Sequence, residues 1–288
     1  MSLVSPRLVL AALVATNAIG CASTEQRSEA SVASRDSVDQ TQAERFMYPK
    51  TRKAEQLDVY HGTTVKDPYR WLEDPDADET RAWVEAQNRL TFGHLGQLPV
   101  REALKERLTK LWNYERYSPP FREGDRWFYF KNDGLQNQSV LYQLDRLEAA
   151  PKVLLDPNQW SAEGTTALAS YSFSDDGKFL AFAKSEGGSD WHTWHVVDIE
   201  TGKELPDVLR WSKFSGASFT HDNAGFFYSR YPEPSKGDEL ESANYFHKVY
   251  YHRLGTPQEQ DVLVFEDNEH KTRGFDAQGT EDGDYVVI

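Results

Sequence analysis

SDDGKFLAF, residues 174–182, is one of four stretches in which a polar turn containing glycine leads directly into an apolar, largely aromatic segment. The other three are REGDRWFYF at 122–130, THDNAGFFY at 220–228 and TEDGDYVVI at 280–288. Aspartate and glycine favour tight turns, whereas aromatic and β-branched residues favour strands. Each stretch therefore predicts a turn followed by a β-strand. The glycines of successive turns are 53, 48 and 58 residues apart.

A second pattern repeats between these turns. A predicted strand, at 140–144, 194–198 and 249–253, leads through a polar turn to a further apolar stretch, at 152–155, 204–209 and 261–264. A repeat of about 50 residues with about four short strands is typical of a β-propeller blade. The sequence predicts three blades, with residues 280–288 as the first strand of a fourth. A β-sandwich with chance spacing is the alternative.

Three blades and a fragment form an open ring, because propellers usually close with about four to eight blades. Such a ring leaves strand edges and apolar faces without a neighbour. We therefore expect this chain to be part of a longer protein.

Two helices are predicted before the repeats begin. The first has Asp76 or Asp78 as its cap and ends near Gly93 or Gly96. The second starts at Pro99, a residue favoured in the first turn of a helix. Its apolar stripe consists of Leu104, Leu108 and Leu111. Stripes with this spacing usually pack against a core, so both helices are expected to do so.

The N-terminus has the layout of an export signal. Arg7 precedes a short apolar run at 8–15, and small residues precede Cys21. This arrangement predicts a lipoprotein-type signal peptide at 1–20, with Cys21 as the lipidated residue. An ordinary cleaved signal and a cytoplasmic chain are the alternatives. Residues 21–45 are polar without an apolar period, which predicts a flexible linker.

The net charge is −14 and the sequence has no basic stripe, which argues against a nucleic-acid or anionic-membrane binder, because both need surplus Lys and Arg. Any membrane association is therefore expected through the lipid anchor alone. Cys21 is the single cysteine, so no disulfide can form within the chain.

The usual sequence motifs of catalysis are missing from the 288 residues: no Gly-x-Ser-x-Gly, His-Glu-x-x-His, Cys-x-x-Cys or phosphate-binding loop occurs. His192 and His195 lie three apart on a predicted strand, so they point to opposite faces and cannot share a metal. The turn acids at 175–176, and Asp282 with Asp284, are interpreted as groups that bind the local backbone. We expect no metal and no cofactor.

A family resemblance is carried by six segments that follow one another in the same order as in the family. They are DPYRWLED at 67–74, WVEAQN at 83–88, GLQNQ at 134–138, SDW at 189–191, KELPDV at 203–208 and THD at 220–222. Together they resemble the N-terminal part of the prolyl oligopeptidase family over roughly residues 46–288. The sister group oligopeptidase B shares the Asp-Pro-Tyr segment, but GLQNQ and KELPDV are similar to the prolyl branch.

The resemblance implies a serine endopeptidase that cleaves short peptides after proline, with a Ser-Asp-His triad in an α/β-hydrolase domain gated by a seven-bladed propeller. Residues 46–113 would be the N-terminal segment of that hydrolase, and 114–288 about three and a half blades. The triad would lie outside this chain, leaving it without a catalytic residue. Phe214 would line the substrate pocket, with a blade-core aromatic as the alternative. A second pocket position near 272–274 is left unassigned.

Three hypotheses for function follow. The first is the N-terminal portion of an exported, periplasmic or cell-envelope prolyl oligopeptidase, with short proline-containing peptides and the C-terminal hydrolase domain of the same polypeptide as partners. The alternative is a non-catalytic periplasmic β-propeller binding lipoprotein. In the third, a separate partner chain completes the hydrolase.

Overall fold

The computed structural model describes residues 47–235, 237 and 243–288. The predicted signal peptide at 1–20 and the predicted linker at 21–45, with Cys21, lie outside the described residues. The chain divides into two compact units, Met1–Glu102 and Ala103–Ile288.

The first unit contains a hairpin, a short 3₁₀ helix and a long α-helix. Strands β1 (Leu57–Tyr60) and β2 (Thr63–Lys66) pair antiparallel. The two residues between them, His61 and Gly62, both have positive φ, as a type I′ hairpin turn requires. The 3₁₀ helix Arg70–Glu73 follows.

Helix α1 (Asp78–Gly96) ends at one of the two predicted glycines, but the prediction of its cap was wrong. Neither Asp76 nor Asp78 caps it. The Asp74 carboxylate instead accepts hydrogen bonds from the backbone N–H groups of Asp76 and Ala77, at 3.0 and 3.1 Å. An acidic residue one turn earlier has the same chemistry, and the sequence has four acids within the six positions 74–79.

Helix α2 (Arg101–Trp112) begins two residues after the predicted start at Pro99. The predicted stripe is present, but its leucines at 104, 108 and 111 are 56%, 59% and 50% exposed, so the described residues do not supply the core that was expected to cover it. Helical spacing identifies an apolar face without identifying what covers it. In the described part of the chain, no helix is long and apolar enough to cross a membrane.

After α2, the second unit continues with a sheet of short antiparallel strands. Its strands are β3 (Arg116–Tyr117), β4 (Phe121–Glu123), β5 (Arg126–Asn132), β6 (Val140–Leu144) and β7 (Lys152–Leu155). Both β3 and β4 pair with β5. Pro119 and Pro120 separate them, and proline has no N–H for a strand ladder. They are therefore two halves of one interrupted strand, and the sheet is in effect four-stranded.

Two further four-stranded antiparallel sheets and the start of another follow. The second sheet contains β8 (Thr166–Phe173), β9 (Phe179–Glu186), β10 (His192–Asp198) and β11 (Lys203–Ser212). The third contains β12 (Ala217–Phe219), β13 (Gly225–Arg230), β14 (Lys248–Arg253) and β15 (Val262–Glu266). The fourth begins with β16 (Gln278–Gly279) and β17 (Val286–Val287). The predicted mainly β fold of about three and a half blades is confirmed.

The position assigned to the last strand was wrong. Residues 280–288 were predicted to open the fourth blade, but β17 pairs with β16, so it is the second strand. The same holds in the earlier sheets, where each glycine turn joins the first strand to the second. Three of the four first strands were missed because they are short or interrupted, whereas β8 was missed although it has eight residues.

The second sheet buries both of its faces, because alternate residues of a strand point to opposite sides. On β9, Leu180 and Phe182 lie in one hydrophobic cluster with Phe128 of the first sheet. Ala181 lies in a second cluster with Phe226 of the third sheet. The sheets therefore stack face to face in sequence order, as blades do.

The glycine turns of adjacent sheets also pack against each other. Gly124 and Gly177 have φ values of 56° and 65°. A Cβ atom on Gly177 would lie 2.7 Å from the Glu123 carbonyl oxygen, and one on Gly124 would lie 2.6 Å from that of Asp176. Glycine is thus needed both for the turn and for the contact between the first two sheets.

A buried ionic network joins the second and third sheets. His252 of β14 contacts Asp207 of β11 through Nε2 at 2.8 Å and Asp261 through Nδ1 at 2.7 Å. All three side chains are shielded from solvent. Carboxylates are acceptors, so both ring nitrogens donate and His252 is an imidazolium. Burial lowers the pKa of His252, but the hydrogen bonds to the two carboxylates outweigh it and raise the pKa to about 9.

Candidate functional site

The link between the second and third sheets contains two strained aromatic residues. In the segment WSKFS, residues 211–215, the φ values of Trp211 and Phe214 are 65° and 53°. This left-handed region costs a residue with a side chain roughly 1–3 kcal/mol and is found most often at functional sites. We therefore take the WSKFS segment as the centre of the candidate site.

Hydrogen bonds hold the WSKFS segment on the third sheet. The Ser212 hydroxyl donates to the Ser229 carbonyl oxygen at 2.7 Å and accepts from the Trp194 Nε1 at 3.1 Å. The Ser215 hydroxyl accepts from the Ser229 backbone N–H at 2.8 Å. Ser212 and Ser215 are buried, so these bonds form away from water. Both ends of the segment are thereby fixed.

Phe214 is the residue of this segment that faces outward. Its side chain is 69% exposed and belongs to neither hydrophobic cluster of the second unit. The alternative that Phe214 is a blade-core aromatic is therefore wrong. Its contact with substrate stays a prediction, and its exposure on a fixed backbone is compatible with one.

An aromatic cluster lies beside Phe214 and surrounds a lysine. Lys213 is 8% exposed, and its Nζ lies 4.0 Å from the centroid of the Trp191 ring. The rings of Trp211 and Tyr231 meet the Trp191 ring nearly at right angles, with centroids 5.6 and 6.3 Å away. Burial lowers the pKa of Lys213, and the nearby Asp190 carboxylate opposes this effect.

A buried histidine completes the cluster. His247 is 1% exposed, its ring lies 4.4 Å from that of Tyr231, and its Nδ1 accepts a hydrogen bond from the Phe275 N–H. An accepting Nδ1 means that Nε2 carries the proton of a neutral ring. Burial lowers the pKa of His247, which favours that neutral form.

Sequence reasoning identified Phe214 but missed the residues around it. Trp191 follows the glycines of the β9–β10 connection, whereas Tyr231 and His247 are the first and last residues of the β13–β14 connection. These positions are up to 56 residues apart in the chain, so no local spacing connects them. The one available signal was Lys213, a charged residue within the WSKFS segment, which contains two aromatic residues.

A separate cavity of about 740 Å³ lies along the first strands of successive sheets. Residues of β8, β12 and β16 line it, so it lies on the side where a propeller has its axis. Its charged lining is mainly acidic and includes Glu123, Asp175, Asp276 and Glu281.

His221 connects three glycine turns at this cavity. Its Nδ1 contacts the Asp175 carboxylate of the second sheet, and its Nε2 lies 2.6 Å from the Glu281 carbonyl oxygen of the fourth. Both partners are acceptors, so His221 donates from both nitrogens. The hydrogen bond to Asp175 raises the pKa of His221. Asp175 therefore bridges two sheets, which corrects its interpretation as a group that binds the local backbone.

Two of the turn acids bind the local backbone, as predicted. Asp176 accepts from the Lys178 backbone N–H, and Asp282 accepts from the Asp284 backbone N–H, both at 3.1 Å. His192 and His195 both lie on β10, where alternation places them on opposite faces. Burial lowers the pKa of His195 to about 4. Within residues 47–235, 237 and 243–288, no three His, Cys, Asp or Glu side chains are grouped as metal ligands would be.

Comparison with known proteins relates this geometry to a family. The family described as "Prolyl oligopeptidase, N-terminal beta-propeller domain" matches residues 49–288. A prolyl endopeptidase of Elizabethkingia meningoseptica is 46% identical over 241 residues, which are 84% of this chain and 34% of the relative. Prolyl oligopeptidase A of Amanita bisporigera is 36% identical over 280 residues, 84% of this chain and 36% of the relative.

Solved structures agree. Prolyl oligopeptidase B from Galerina marginata, bound to a 25mer macrocyclization substrate, superposes with a TM-score of 0.75 at 34% identity, covering 83% of this chain and 36% of that one. A structure from a study of two prolyl endopeptidases gives a TM-score of 0.76 at 36% identity, covering 83% and 35%. The chain thus spans about a third of the length of these relatives. It belongs to the prolyl oligopeptidase family and contains its N-terminal β-propeller region.

Proposed function

We propose that this chain is the N-terminal, propeller-bearing portion of a serine endopeptidase that cleaves short peptides on the C-terminal side of proline. The observation that carries the proposal is the family match over residues 49–288, together with 46% identity to a prolyl endopeptidase. Because the chain spans a third of that relative, the catalytic triad is assigned to sequence outside these 288 residues.

In the assembled enzyme, the serine hydroxyl would attack the carbonyl carbon of the peptide bond after proline. A histidine would take the hydroxyl proton and pass it to the leaving amine, while an aspartate orients that histidine. Backbone or side-chain donors would stabilise the oxyanion. This chain would contribute substrate contact and access control, and no cofactor is needed for these steps.

Phe214 is the residue proposed to contact the substrate. Its exposed ring stands on a backbone that is tied down at Ser212 and Ser215. A rigid aromatic side chain provides a large apolar contact at little entropic cost, which suits the ring of a proline-containing peptide. Replacement of Phe214 with Ala should raise KM more than it lowers kcat.

Control of substrate size is the second role proposed for the propeller. The proposal is supported by the position of the cavity along the first strands and by the two hydrophobic clusters that adjacent blades share, since such packing would resist widening of a closed ring. Extended short peptides would pass through the centre of such a ring, whereas a folded protein would not.

Export and lipid anchoring at Cys21 are proposed from the sequence layout alone. Replacement of Cys21 with Ser should release the protein from cell-envelope membranes into the soluble periplasmic fraction. Membrane association that is unchanged by this replacement would rule out the anchor.

The experiment for the peptidase proposal joins this chain to the C-terminal portion of the Elizabethkingia meningoseptica prolyl endopeptidase. Matched peptides with proline, arginine or alanine before the cleaved bond are compared, each as a short peptide and within a folded protein. We expect the joined protein to cleave only one of these substrates, the short peptide with proline before the cleaved bond. Preference for arginine would indicate oligopeptidase B specificity, and binding without cleavage would support the alternative of a non-catalytic binding propeller.

A further inference from the structure

Lys213 and Phe214 are neighbours in the chain with opposite environments. Phe214 is 69% exposed, whereas Lys213 is 8% exposed. Lysine is rarely buried without a charged partner, because removing an ammonium group from water is unfavourable. Other partly buried lysines in this unit have such partners: Lys184 lies 3.4 Å from Glu204, and Lys248 pairs with Glu266 at 2.5 Å.

The Lys213 ammonium lies against an aromatic face, with the Asp190 carboxylate nearby. Its Nζ lies 4.0 Å from the Trp191 ring centroid, well within the range of a cation–π interaction. The Trp191 ring itself packs nearly perpendicular to the rings of Trp211 and Tyr231. Tyr231 directly follows β13 of the third sheet, and its backbone N–H donates to the Trp211 carbonyl oxygen at 2.9 Å. The ammonium therefore sits against a ring that is already immobilised.

This contact lies between the two hydrogen-bonded ends of the WSKFS segment. Ser212 and Ser215 fix its two ends through Ser229. Between them, Phe214 has a left-handed backbone that its side chain disfavours. The Lys213 side chain points inward and the Phe214 side chain outward, so anchoring the first restricts the backbone of the second.

We propose that Lys213 is a positioning residue: its ammonium, held on the Trp191 ring, fixes Phe214 in the outward conformation that contacts the substrate peptide. The inference rests on the proposed substrate role of Phe214. It adds that position 213 requires a positive charge. If Lys213 served only hydrophobic packing, an uncharged side chain of similar length would be sufficient.

Two substitutions separate these roles. Lys213→Met keeps the length and apolar stem but removes the charge, whereas Lys213→Arg keeps a cation that can stack on Trp191. Lys184→Met is the matched control, because Lys184 also lies over a tryptophan, with its Nζ 4.9 Å from the Trp160 ring centroid. All three are made in the joined enzyme and in the 288-residue chain.

In the joined enzyme, Lys213→Met should raise KM for the proline peptide roughly two- to thirtyfold, the range that a cation–π contact corresponds to. The kcat and the melting temperature should not fall, since replacing a buried charge by an apolar group is often neutral or stabilising. Lys213→Arg should restore KM, and Lys184→Met should leave it unchanged. An unchanged KM in Lys213→Met would overturn the inference.

A spin label tests the same inference without activity. It is attached to the thiol of a Phe214→Cys variant of the 288-residue chain that also carries Cys21→Ser. Lys213→Met should sharpen the spectral lines through greater mobility, and Lys213→Arg should not. Unchanged lines would overturn the positioning role even if the joined enzyme is inactive. If the joined enzyme without substitutions is inactive, that result would count against the proposed function and not against the positioning role of Lys213.

Discussion

Replacement of His252 with Gln should produce a pH-dependent loss of stability. His252 is the cation between two buried carboxylates, Asp207 and Asp261, and it connects the second sheet to the third. Glutamine can donate to one of these carboxylates but cannot balance their charge. The variant should therefore leave buried negative charge uncompensated, which is strongly destabilising.

The magnitude follows from the pKa of His252, which the network raises from 6.5 to about 9. A rise of this size corresponds to about 3 kcal/mol of folding free energy. Because the folded-state pKa is the higher one, the contribution is complete below roughly pH 6.5 and is lost as the pH rises through about 9. The difference between wild type and variant should shrink by about 2 kcal/mol between about pH 7 and about pH 9.

The assay is urea-induced unfolding of the 288-residue chain, followed by tryptophan fluorescence at a series of pH values. His195→Gln is the matched control, because the pKa of His195 is lowered to about 4 and this ring stays neutral throughout the range. The control should shift stability by a constant amount. Parallel stability curves for wild type and His252→Gln would refute the assignment of a buried imidazolium.

Two further predictions concern the glycine turns. Gly177→Ala should destabilise the chain by about 1–3 kcal/mol more than Gly202→Ala in urea unfolding, because both glycines have positive φ but only Gly177 would bring a Cβ close to another turn. Equal losses would show that the turns do not pack as described. His221→Asn should lower the melting temperature most at acidic to neutral pH and least at alkaline pH, because Asp175 raises the pKa of His221 in the folded state. A melting-temperature difference that grows with pH would contradict this.

The repeat was predictable because each blade obeys the same local rules. An acidic glycine turn, an aromatic strand and a third strand recur at similar spacing, so their order could be read directly. The short first strands could not be found in this way. β12 and β16 have three and two residues and are defined by pairing with a neighbour rather than by their own composition.

The site was predictable in part. Phe214 could be located by its family resemblance, but its support by Trp191, Lys213 and His247 depends on loops that meet only after the second and third sheets stack. The His252 network has the same origin, since Asp207 and His252 are 45 residues apart. Long-range polar contacts of this kind have no periodic signal in a sequence.

The most direct measurement of the central claim is the hydrolysis of a chromogenic Gly-Pro substrate by the 288-residue chain, with and without the C-terminal portion of the Elizabethkingia meningoseptica relative. We expect no turnover by the chain alone and proline-specific turnover by the joined protein, blocked by a serine-reactive inhibitor. Inhibitor-sensitive turnover by the purified chain alone would contradict the placement of the catalytic triad outside these 288 residues.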